Sequence, residues 1–335
     1  MRDTRALFQQ AAERAGIIER TFRIAGHSVQ LRFAGPALEE YLIPALAHLE
    51  TDDSAPALKV LLWDAASTGC GLPPPLWAEN ACTVRGEIQG LHSDRIHLAI
   101  SPGFNGISLL DSDENVAVFC MPDAWRIPYY EYSSPVRTIF HWWLGQHGRQ
   151  LVHAGVVGTE EGGVLIAGRG GSGKSVTALT CLCAGMQYAG DDYTVIDADA
   201  RPYAYSLYSS AKLNARDVKR FPELQPALKN PDRLDEEKAV LFIRQVLPER
   251  VSTGMPIRAI LLPRVLGTGP TRVSAVSAAT SLRYLAPSTI FQLPRAGRPA
   301  FECIAELVKD VPGYVLELGG EPKDTPGVIR EILEH

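Results

Sequence analysis

The sequence predicts an α/β protein with a mixed sheet, preceded by a smaller α+β domain, and three observations lead to this fold class. Its 335 residues exceed what a single hydrophobic core usually supports. Short apolar runs of strand length alternate with segments of helical period. A short polar turn, residues 158–162, joins two of these runs, whereas parallel strands need a much longer crossover. The two strands on either side of this turn must therefore be antiparallel.

The composition is that of an ordinary folded protein and narrows the classes of partner. Hydrophobic residues make up 46% and charged residues 21% of the chain, and the formal net charge is −5. This charge gives no general attraction to nucleic acid or to an acidic membrane, so neither is an expected partner. The first residues are charged throughout and no apolar run is long enough to span a bilayer. Six cysteines without paired spacing indicate free thiols, and we expect a cytoplasmic protein.

Residues 1–129 are predicted to form the α+β domain. An amphipathic helix opens the chain, residues 22–33 alternate as in a hairpin, and residues 37–46 carry apolar side chains three and four positions apart. We find no catalytic constellation in this part of the sequence, so we predict an accessory or substrate-recognition domain. Further strands are predicted at residues 58–63, 95–100 and 116–121.

The most informative segment, residues 168–175, fits the pattern G-x-x-x-x-G-K-[ST]. Glycines let a backbone turn tightly and point successive N–H groups into a concave anion site. In such a loop Lys174 reaches the β- and γ-phosphates of a nucleotide, and Ser175 ligates Mg²⁺. A glycine-rich turn without this function is the alternative interpretation. The residues predicted to bind the nucleotide are Gly168, Arg169, Gly170, Gly171, Ser172, Gly173, Lys174 and Ser175.

The residues around the loop favour phosphate binding. Residues 163–167 form a short apolar run suited to a buried strand. After the loop, Val176, Leu179 and Leu182 recur at helical spacing, so the loop opens a helix. The N–H groups and the dipole at the start of a helix favour an anion. We therefore predict a strand, a phosphate-binding loop and a helix in succession.

Two adjacent carboxylates, Asp191 and Asp192, follow Lys174 by 17 and 18 residues. This distance is enough for the helix to return the chain to the sheet beside the loop. A carboxylate there holds Mg²⁺ or accepts the proton of an attacking hydroxyl, the two tasks of phosphoryl transfer. A turn capped by aspartates is the alternative. Arg298, near the start of a predicted helix, either clamps a transferring phosphoryl group or is exposed to solvent.

These motifs resemble the core of bacterial HPr kinase/phosphorylase, whose nucleotide-binding fold is similar to that of phosphoenolpyruvate carboxykinase. The family pattern is a His, an antiparallel turn, a glycine loop ending in Lys-Ser and a pair of aspartates. Here His153, the loop and Gly190-Asp191-Asp192 occur in that order and at matching spacing. The resemblance implies a mixed-sheet P-loop catalytic domain at residues 130–335, with ATP and Mg²⁺ as cofactors. It also implies a protein that associates with copies of itself.

The resemblance also implies roles for these residues. His153 assists near the transferred phosphate, and Lys174 binds the β- and γ-phosphates. Ser175 ligates Mg²⁺. The aspartate pair supplies the acceptor for the hydroxyl proton, and we favour Asp192 for this role with Asp191 beside the metal. The sequence does not order the two aspartates.

The chain departs from the family at several positions. Val176 stands where the family commonly has Glu after the loop serine, and a segment with a further Mg²⁺-ligating Glu is not found in the sequence. HPr itself is therefore not the expected acceptor. Divergent relatives include kinases of peptide maturation, such as those acting on lasso-peptide precursors, so we predict phosphorylation of a serine in a protein or peptide. The alternatives are a kinase of a small-molecule hydroxyl and a non-catalytic module gated by a nucleotide.

Overall fold

The structure is a computed structural model that describes residues 1–74, 82–88, 90–199, 201–320 and 322–334. The described chain divides into two compact units with separate sheets. One comprises residues 1–147 together with 293–295, and the other comprises residues 148–292 and 296–335. The mixed α/β class predicted from the sequence is confirmed. The domain boundary between residues 129 and 130 stays a prediction, and the helix at residues 137–145 lies in the first unit.

The first unit is built on a mixed sheet. Its described strands are β1 (Ile17–Ile24), β2 (His27–Ala34), β3 (Leu58–Asp64), β4 (Ile96–Ser101), β5 (Gly106–Asp111) and β6 (Val116–Met121). Its described helices are α1 (Arg2–Ala15), α2 (Ala37–Leu46), α3 (Ala65–Thr68), α4 (Tyr129–Tyr132) and α5 (Arg137–Gly145). The strand order is β1-β2-β3-β6-β5-β4, and β3 pairs in parallel with β2 and β6. The other neighbouring strands are antiparallel.

The core of the first unit forms around the central strand β3. This strand is buried at every position except Lys59, as expected of an apolar strand with a neighbour on each side. Helix α1 packs on it through Phe8, whose ring centroid lies 6.3 Å from that of Trp63. Ala11 and Ala12 of the same helix belong to this core cluster. The unit therefore has a hydrophobic core of its own.

The second unit contains a larger mixed sheet. Its described strands are β7 (Gln150–Val152), β8 (Ala154–Thr159), β9 (Gly162–Ala167), β10 (Gln187–Gly190), β11 (Thr194–Asp197), β12 (Tyr203–Ser206), β13 (Ser210–Leu213), β14 (Ala239–Phe242), β15 (Gly254–Val265), β16 (Arg272–Val276) and β17 (Gly313–Leu318). Its described helices are α6 (Lys174–Cys183), α7 (Ala215–Val218), α8 (Ala278–Ile290), α9 (Gly297–Asp310) and α10 (Thr325–Glu334). None of the described helices of the chain is long and apolar enough to cross a membrane.

The strands of the second unit follow the order β10-β8-β9-β15-β12-β11-β7, with β17 beside β15 and β16 beside β17. Strands β9 and β17 run parallel to β15, whereas β8 and β9 form an antiparallel hairpin. The antiparallel arrangement predicted from the short turn is therefore confirmed. Strands β13 and β14 form a separate antiparallel pair.

Strand β9 shows how helices cover both faces of this sheet. Val164 and Ile166 pack in one cluster with residues of α6 and α10, and Leu165 and Ala167 pack in another with residues of α8 and α9. Successive side chains of a strand point to opposite faces, so an unbroken apolar run indicates a strand that is buried on both faces. The loop after β9 therefore follows a strand that is buried on both faces.

Two segments differ from what their local sequence pattern predicts. Residues 214–228 carry apolar side chains at the spacing of a helix but form only the short helix α7 and a following 3₁₀ stretch that contains Pro222 and Pro226. Proline lacks the N–H that an α-helix needs, which explains the interruption. Helix α8 continues past Pro287, a residue type that usually interrupts a helix.

Candidate functional site

The glycine loop connects the end of β9 to the start of α6. Because β9, β15 and β17 are parallel, their carboxyl ends meet at one edge of the sheet, where α/β proteins bind ligands. Gly173 has a φ of +102°, and a Cβ there would lie 2.6 Å from Cδ1 of Leu318. Gly168 has a φ of +153°, and its Cβ would lie 2.8 Å from Oγ of Ser172. Both positions therefore strain any side chain larger than that of glycine.

Lys174, the first residue of α6, folds its side chain back over the loop. Its Nζ donates to the carbonyl oxygens of Gly168 at 2.7 Å and Arg169 at 3.3 Å. Burial lowers the pKa of this ammonium group, two other lysines act in the same direction, and the carboxylates of Asp191 and Asp192 oppose the shift. An anionic ligand at the loop would stabilise the charged form of Lys174.

His153 and the two aspartates lie in facing interruptions of the sheet. Strand β7 pairs with β11 and β8 pairs with β10. The chain passes between these two ladders at His153 on one side and at residues 191–193 on the other. Interruptions of this kind redirect side chains and are common beside active sites. The fold therefore brings together residues that lie far apart in the sequence.

The two interruptions approach closely at Gly155. A Cβ on this residue would lie 2.9 Å from the backbone oxygen of Asp191 and 3.1 Å from that of Gly190. Backbone atoms cannot turn aside as a flexible side chain can. Glycine at this position therefore allows the close approach between the backbone of Asp191 and strand β8, which directly follows His153.

We expect Gly155→Ala to displace the backbone at Asp191 and to weaken both stability and nucleotide binding. Overpacking at such a site costs about 1–3 kcal/mol in the free energy of unfolding. Chemical denaturation and titration with nucleotide measure the two effects. Gly145→Ala is the matched control, because a Cβ there would meet no described atom within 4 Å. Equal stability and equal binding of the two variants would show that the close approach at Gly155 is unimportant.

Asp192 is the centre of a charged cluster. Its Oδ1 accepts a hydrogen bond from Nε2 of His153 at 2.8 Å, and its Oδ2 pairs with the ammonium of Lys212. The side chains of His153, Lys212 and Asp192 are 8%, 12% and 22% exposed. Burial opposes the charged form, but Lys212 and His153 outweigh it and hold the pKa of Asp192 well below its usual range. The carboxylate is therefore ionised at neutral pH.

Asp191 is more deeply buried than Asp192, and its pKa shifts in the opposite direction. Burial and the charge of Asp192 raise its pKa, and the backbone N–H of Lys212, the hydroxyl of Ser175 and the ammonium of Lys174 oppose this shift. The Lys212 N–H donates to Oδ2 of Asp191 at 3.1 Å. The buried Oδ1 has no hydrogen-bond partner among the described residues. Such an oxygen is costly to bury and is available to a ligand.

The oxygens of Asp191 and Ser175 could hold a magnesium ion. Mg²⁺ prefers oxygen ligands and in nucleotide sites takes one or two from carboxylates and several from phosphates and water. A cation there would give Oδ1 of Asp191 a partner and would offset the repulsion from Asp192. In the part of the chain that the structure describes, no group of three or more His, Cys, Asp or Glu side chains could hold a metal.

A series of hydrogen bonds orients the ring of His153. The Tyr193 hydroxyl donates to Oε1 of Gln292 at 2.7 Å, and the amide nitrogen of Gln292 lies 3.0 Å from Nδ1 of His153. Because an amide nitrogen can only donate, Nδ1 accepts and the ring proton is on Nε2. His153 therefore donates to Asp192. Its backbone N–H donates to Oγ1 of Thr289 at 3.1 Å.

Two positions singled out in the sequence, Arg298 and Val176, have surroundings unlike those of the charged cluster around Asp192. Among the described residues, the contacts of Arg298 do not include the loop or the aspartates. Its side chain is 86% exposed, and its Nε donates to Glu302 of the same helix at 2.6 Å.

Val176, which replaces the Glu of the resembled family, is half-buried against the core cluster around Val164 and Ile166. An apolar residue suits that environment better than a carboxylate.

Several residues of the cluster carry no motif in the sequence. Lys212 is a single charged residue in the strand Ser210–Leu213, which is a weak signal. Gln292, Thr289 and Tyr193 have no spacing that relates them to the loop. They contact His153 or each other only because α8 and the interrupted strands lie side by side in the second unit.

Known proteins share little sequence with this chain. No protein-family model matches the chain, and a search of curated proteins finds no match. Among solved structures, the chain is similar to the Hpr(Ser) kinase/phosphatase from Coxiella burnetii. The sequence identity is 12%, the match covers 55% of this chain and 94% of that chain, and the TM-score is 0.30. Similarity at this level does not transfer an activity from one protein to the other.

Proposed function

We propose that this protein is an ATP- and Mg²⁺-dependent kinase that transfers the γ-phosphoryl group to a serine hydroxyl of a protein or peptide. The observation that carries this proposal is the meeting of a glycine loop, with its buried Lys174, and the carboxylates of Asp191 and Asp192. The groups that would bind phosphate, hold the metal ion and receive the proton therefore lie close enough to influence one another's charge, as phosphoryl transfer requires. Burying charged groups costs free energy, so we do not expect several of them in a turn that has no function.

The loop and the start of α6 bind the phosphates in this proposal. Helix α6 has ten residues, and the N–H groups and dipole at its start favour an anion. Lys174 exchanges the carbonyl oxygens of Gly168 and Arg169 for phosphate oxygens. The exchange is favourable because a hydrogen bond between two charged groups is stronger than one to a neutral carbonyl.

Ser175 and Asp191 hold Mg²⁺ in this proposal. The ion, when bound, neutralises charge on the phosphates of the nucleotide. Oδ1 of Asp191, which has no partner among the described residues, is the oxygen available to it. The hydroxyl of Ser175 lies at the start of α6, directly after Lys174, where the loop pattern requires a metal ligand.

Asp192 orients the acceptor and receives its proton, and His153 orients Asp192. The hydroxyl oxygen of the acceptor forms the new bond to phosphorus, the bond from phosphorus to the leaving ADP oxygen breaks, and the hydroxyl proton passes to Asp192. A carboxylate whose pKa is lowered is a weak base. The transition state of phosphoryl transfer is loose, so the proton can leave late and a weak base is sufficient.

We also infer that the second unit is a P-loop domain of the HPr kinase and phosphoenolpyruvate carboxykinase type, with residues 1–129 as a domain that recognises the substrate. The antiparallel hairpin of β8 and β9 supports this inference, because a standard P-loop strand has parallel neighbours. The spacing of His153, the loop and the aspartate pair supports a relation to peptide-maturation kinases. The six free cysteines support a cytoplasmic protein, and the resemblance of the motifs to the HPr kinase family supports association with copies of itself.

A transfer assay with γ-labelled ATP and Mg²⁺ tests this proposal. Lysate fractions separated into proteins, peptides and metabolites serve as acceptors, and Lys174→Ala is the blank. Label on serine in the protein or peptide fraction is the expected result. Label confined to metabolites would indicate a small-molecule kinase. Tight binding of Mg·ATP without label in any fraction would indicate a non-catalytic module.

A further inference from the structure

Lys212 lies within the site but has no part in the transfer described above. Its ammonium pairs with Oδ2 of Asp192, and its backbone N–H donates to Oδ2 of Asp191 at 3.1 Å. One residue of β13 therefore holds both aspartates. The side chain is only 12% exposed, and its Nζ lies 6.0 Å from the centroid of the Tyr193 ring. A flexible lysine chain is thus confined between a carboxylate and an aromatic face.

Two largely buried lysines, Lys174 and Lys212, lie near the aspartate pair. The ammonium of Lys174 is subject to the charges of two carboxylates, Asp191 and Asp192, and of two further lysines, Lys212 and Lys238. Lys238 directly precedes β14, which pairs with the strand of Lys212. Lys238 is exposed, so water screens its charge more than those of Lys174 and Lys212. An anion that enters next to the glycine loop would stabilise the charged forms of these two buried lysines.

We propose that Lys212 binds the terminal phosphoryl group of the nucleotide and exchanges its contact with Asp192 for a contact with a phosphate oxygen. This inference rests on the proposed function. A lysine has a flexible stem and three donors, so its ammonium can contact a phosphate while Asp192 stays nearby. Asp192 is then open to a hydrogen bond from the acceptor hydroxyl. A nucleoside diphosphate, which lacks the terminal group, leaves the pair of Lys212 and Asp192 intact.

The test compares the affinities of Mg·ATP and Mg·ADP by calorimetry. Lys212→Met is expected to weaken Mg·ATP binding about tenfold or more, because a contact between charged groups is lost. The affinity for Mg·ADP is expected to stay within about twofold. The backbone N–H that contacts Asp191 is kept in every variant. Lys212→Arg keeps the charge and is expected to keep part of the preference for ATP.

A double variant separates contact from repulsion. In Lys212→Met the negative charge of Asp192 is left without its lysine and could repel ATP by itself. If Lys212 contacts the phosphoryl group, the preference for ATP stays lost in Lys212→Met/Asp192→Asn. A preference that returns in the double variant would overturn the inference. Lys309→Met, which breaks the exposed ion pair with Glu306, is the control for loss of one positive charge.

The remaining outcomes separate this inference from the proposed function. Equal losses of Mg·ATP and Mg·ADP affinity in Lys212→Met, or no loss of either, would overturn the role of Lys212 and leave the kinase proposal standing. Wild-type protein that binds neither nucleotide would overturn both. Thermal melting of each variant reports on folding, and Lys212→Gln carries the same comparison if Lys212→Met does not fold.

Discussion

Lys174→Ala is expected to lose nucleotide binding and phosphoryl transfer while keeping its fold. The ammonium donates to two carbonyl oxygens of the loop, and losing one group that binds the phosphates usually costs about a hundredfold or more in rate. Burial already lowers the pKa of Lys174, so its removal also relieves a desolvation cost. We therefore expect the free energy of unfolding to change by less than about 1 kcal/mol. Calorimetry, the transfer assay and chemical denaturation measure the three quantities.

The matched control for this variant is Lys309→Ala. Lys309 lies at the end of α9, and its ammonium pairs with Glu306 at 2.6 Å. The control loses the same charge and the same side chain but is expected to bind and transfer normally. A Lys174→Ala protein with wild-type affinity for Mg·ATP would mean that the phosphates do not bind at the glycine loop, and the proposed function would then fail.

Asp192→Asn is expected to bind Mg·ATP but to transfer its phosphoryl group about a hundredfold to ten-thousandfold more slowly. An amide cannot take the proton of the acceptor hydroxyl, and general bases typically contribute a factor of this size. The substitution also leaves the ammonium of Lys212 without its carboxylate. Because Asp192 is 22% exposed, we expect a loss of about 1–3 kcal/mol in stability, less than for a fully buried pair. Single-turnover transfer and chemical denaturation measure these effects.

Asp197→Asn is the matched control for loss of an ion pair. Asp197 lies at the end of β11, its side chain is 14% exposed, and it pairs with Arg149 at 2.8 Å. This variant is expected to lose stability to a similar degree and to transfer normally. Full transfer by Asp192→Asn would remove Asp192 from the role of proton acceptor. Asp191, whose pKa is raised, would then be the remaining carboxylate for that role.

Local patterns predicted much of the second unit because the physics that forms them is local. A glycine loop needs special backbone angles, and Gly168, Gly171 and Gly173 all have positive φ values in the structure. The short turn at residues 158–162 allows only an antiparallel pair, and β8 and β9 form one. The helical period after the loop agrees with α6. Each of these features depends on a few neighbouring residues.

Other elements were not predictable from local pattern. Residues 214–228 have helical spacing, but two prolines remove N–H donors and the segment forms mainly 3₁₀ turns. Helix α8 shows the opposite case. Its Pro287 reads as a helix breaker, yet Leu285 and Ala286 pack against the sheet and the helix continues to Ile290. Burial of apolar side chains outweighed local propensity there.

The sequence by itself determined the glycine loop, the helix after it and the adjacent aspartates. It also established the mixed sheet of the α/β fold, because each of these follows from residue type and spacing. The tertiary structure decided the surroundings of those aspartates. Asp191 and Asp192 are neighbours in sequence, yet their pKa values shift in opposite directions. Lys212 and His153 are distant from the aspartates in sequence but contact them in the structure, and Asp191 is buried more deeply than Asp192. Electrostatic interactions depend on distance in space rather than in sequence, so only the tertiary structure could decide these shifts.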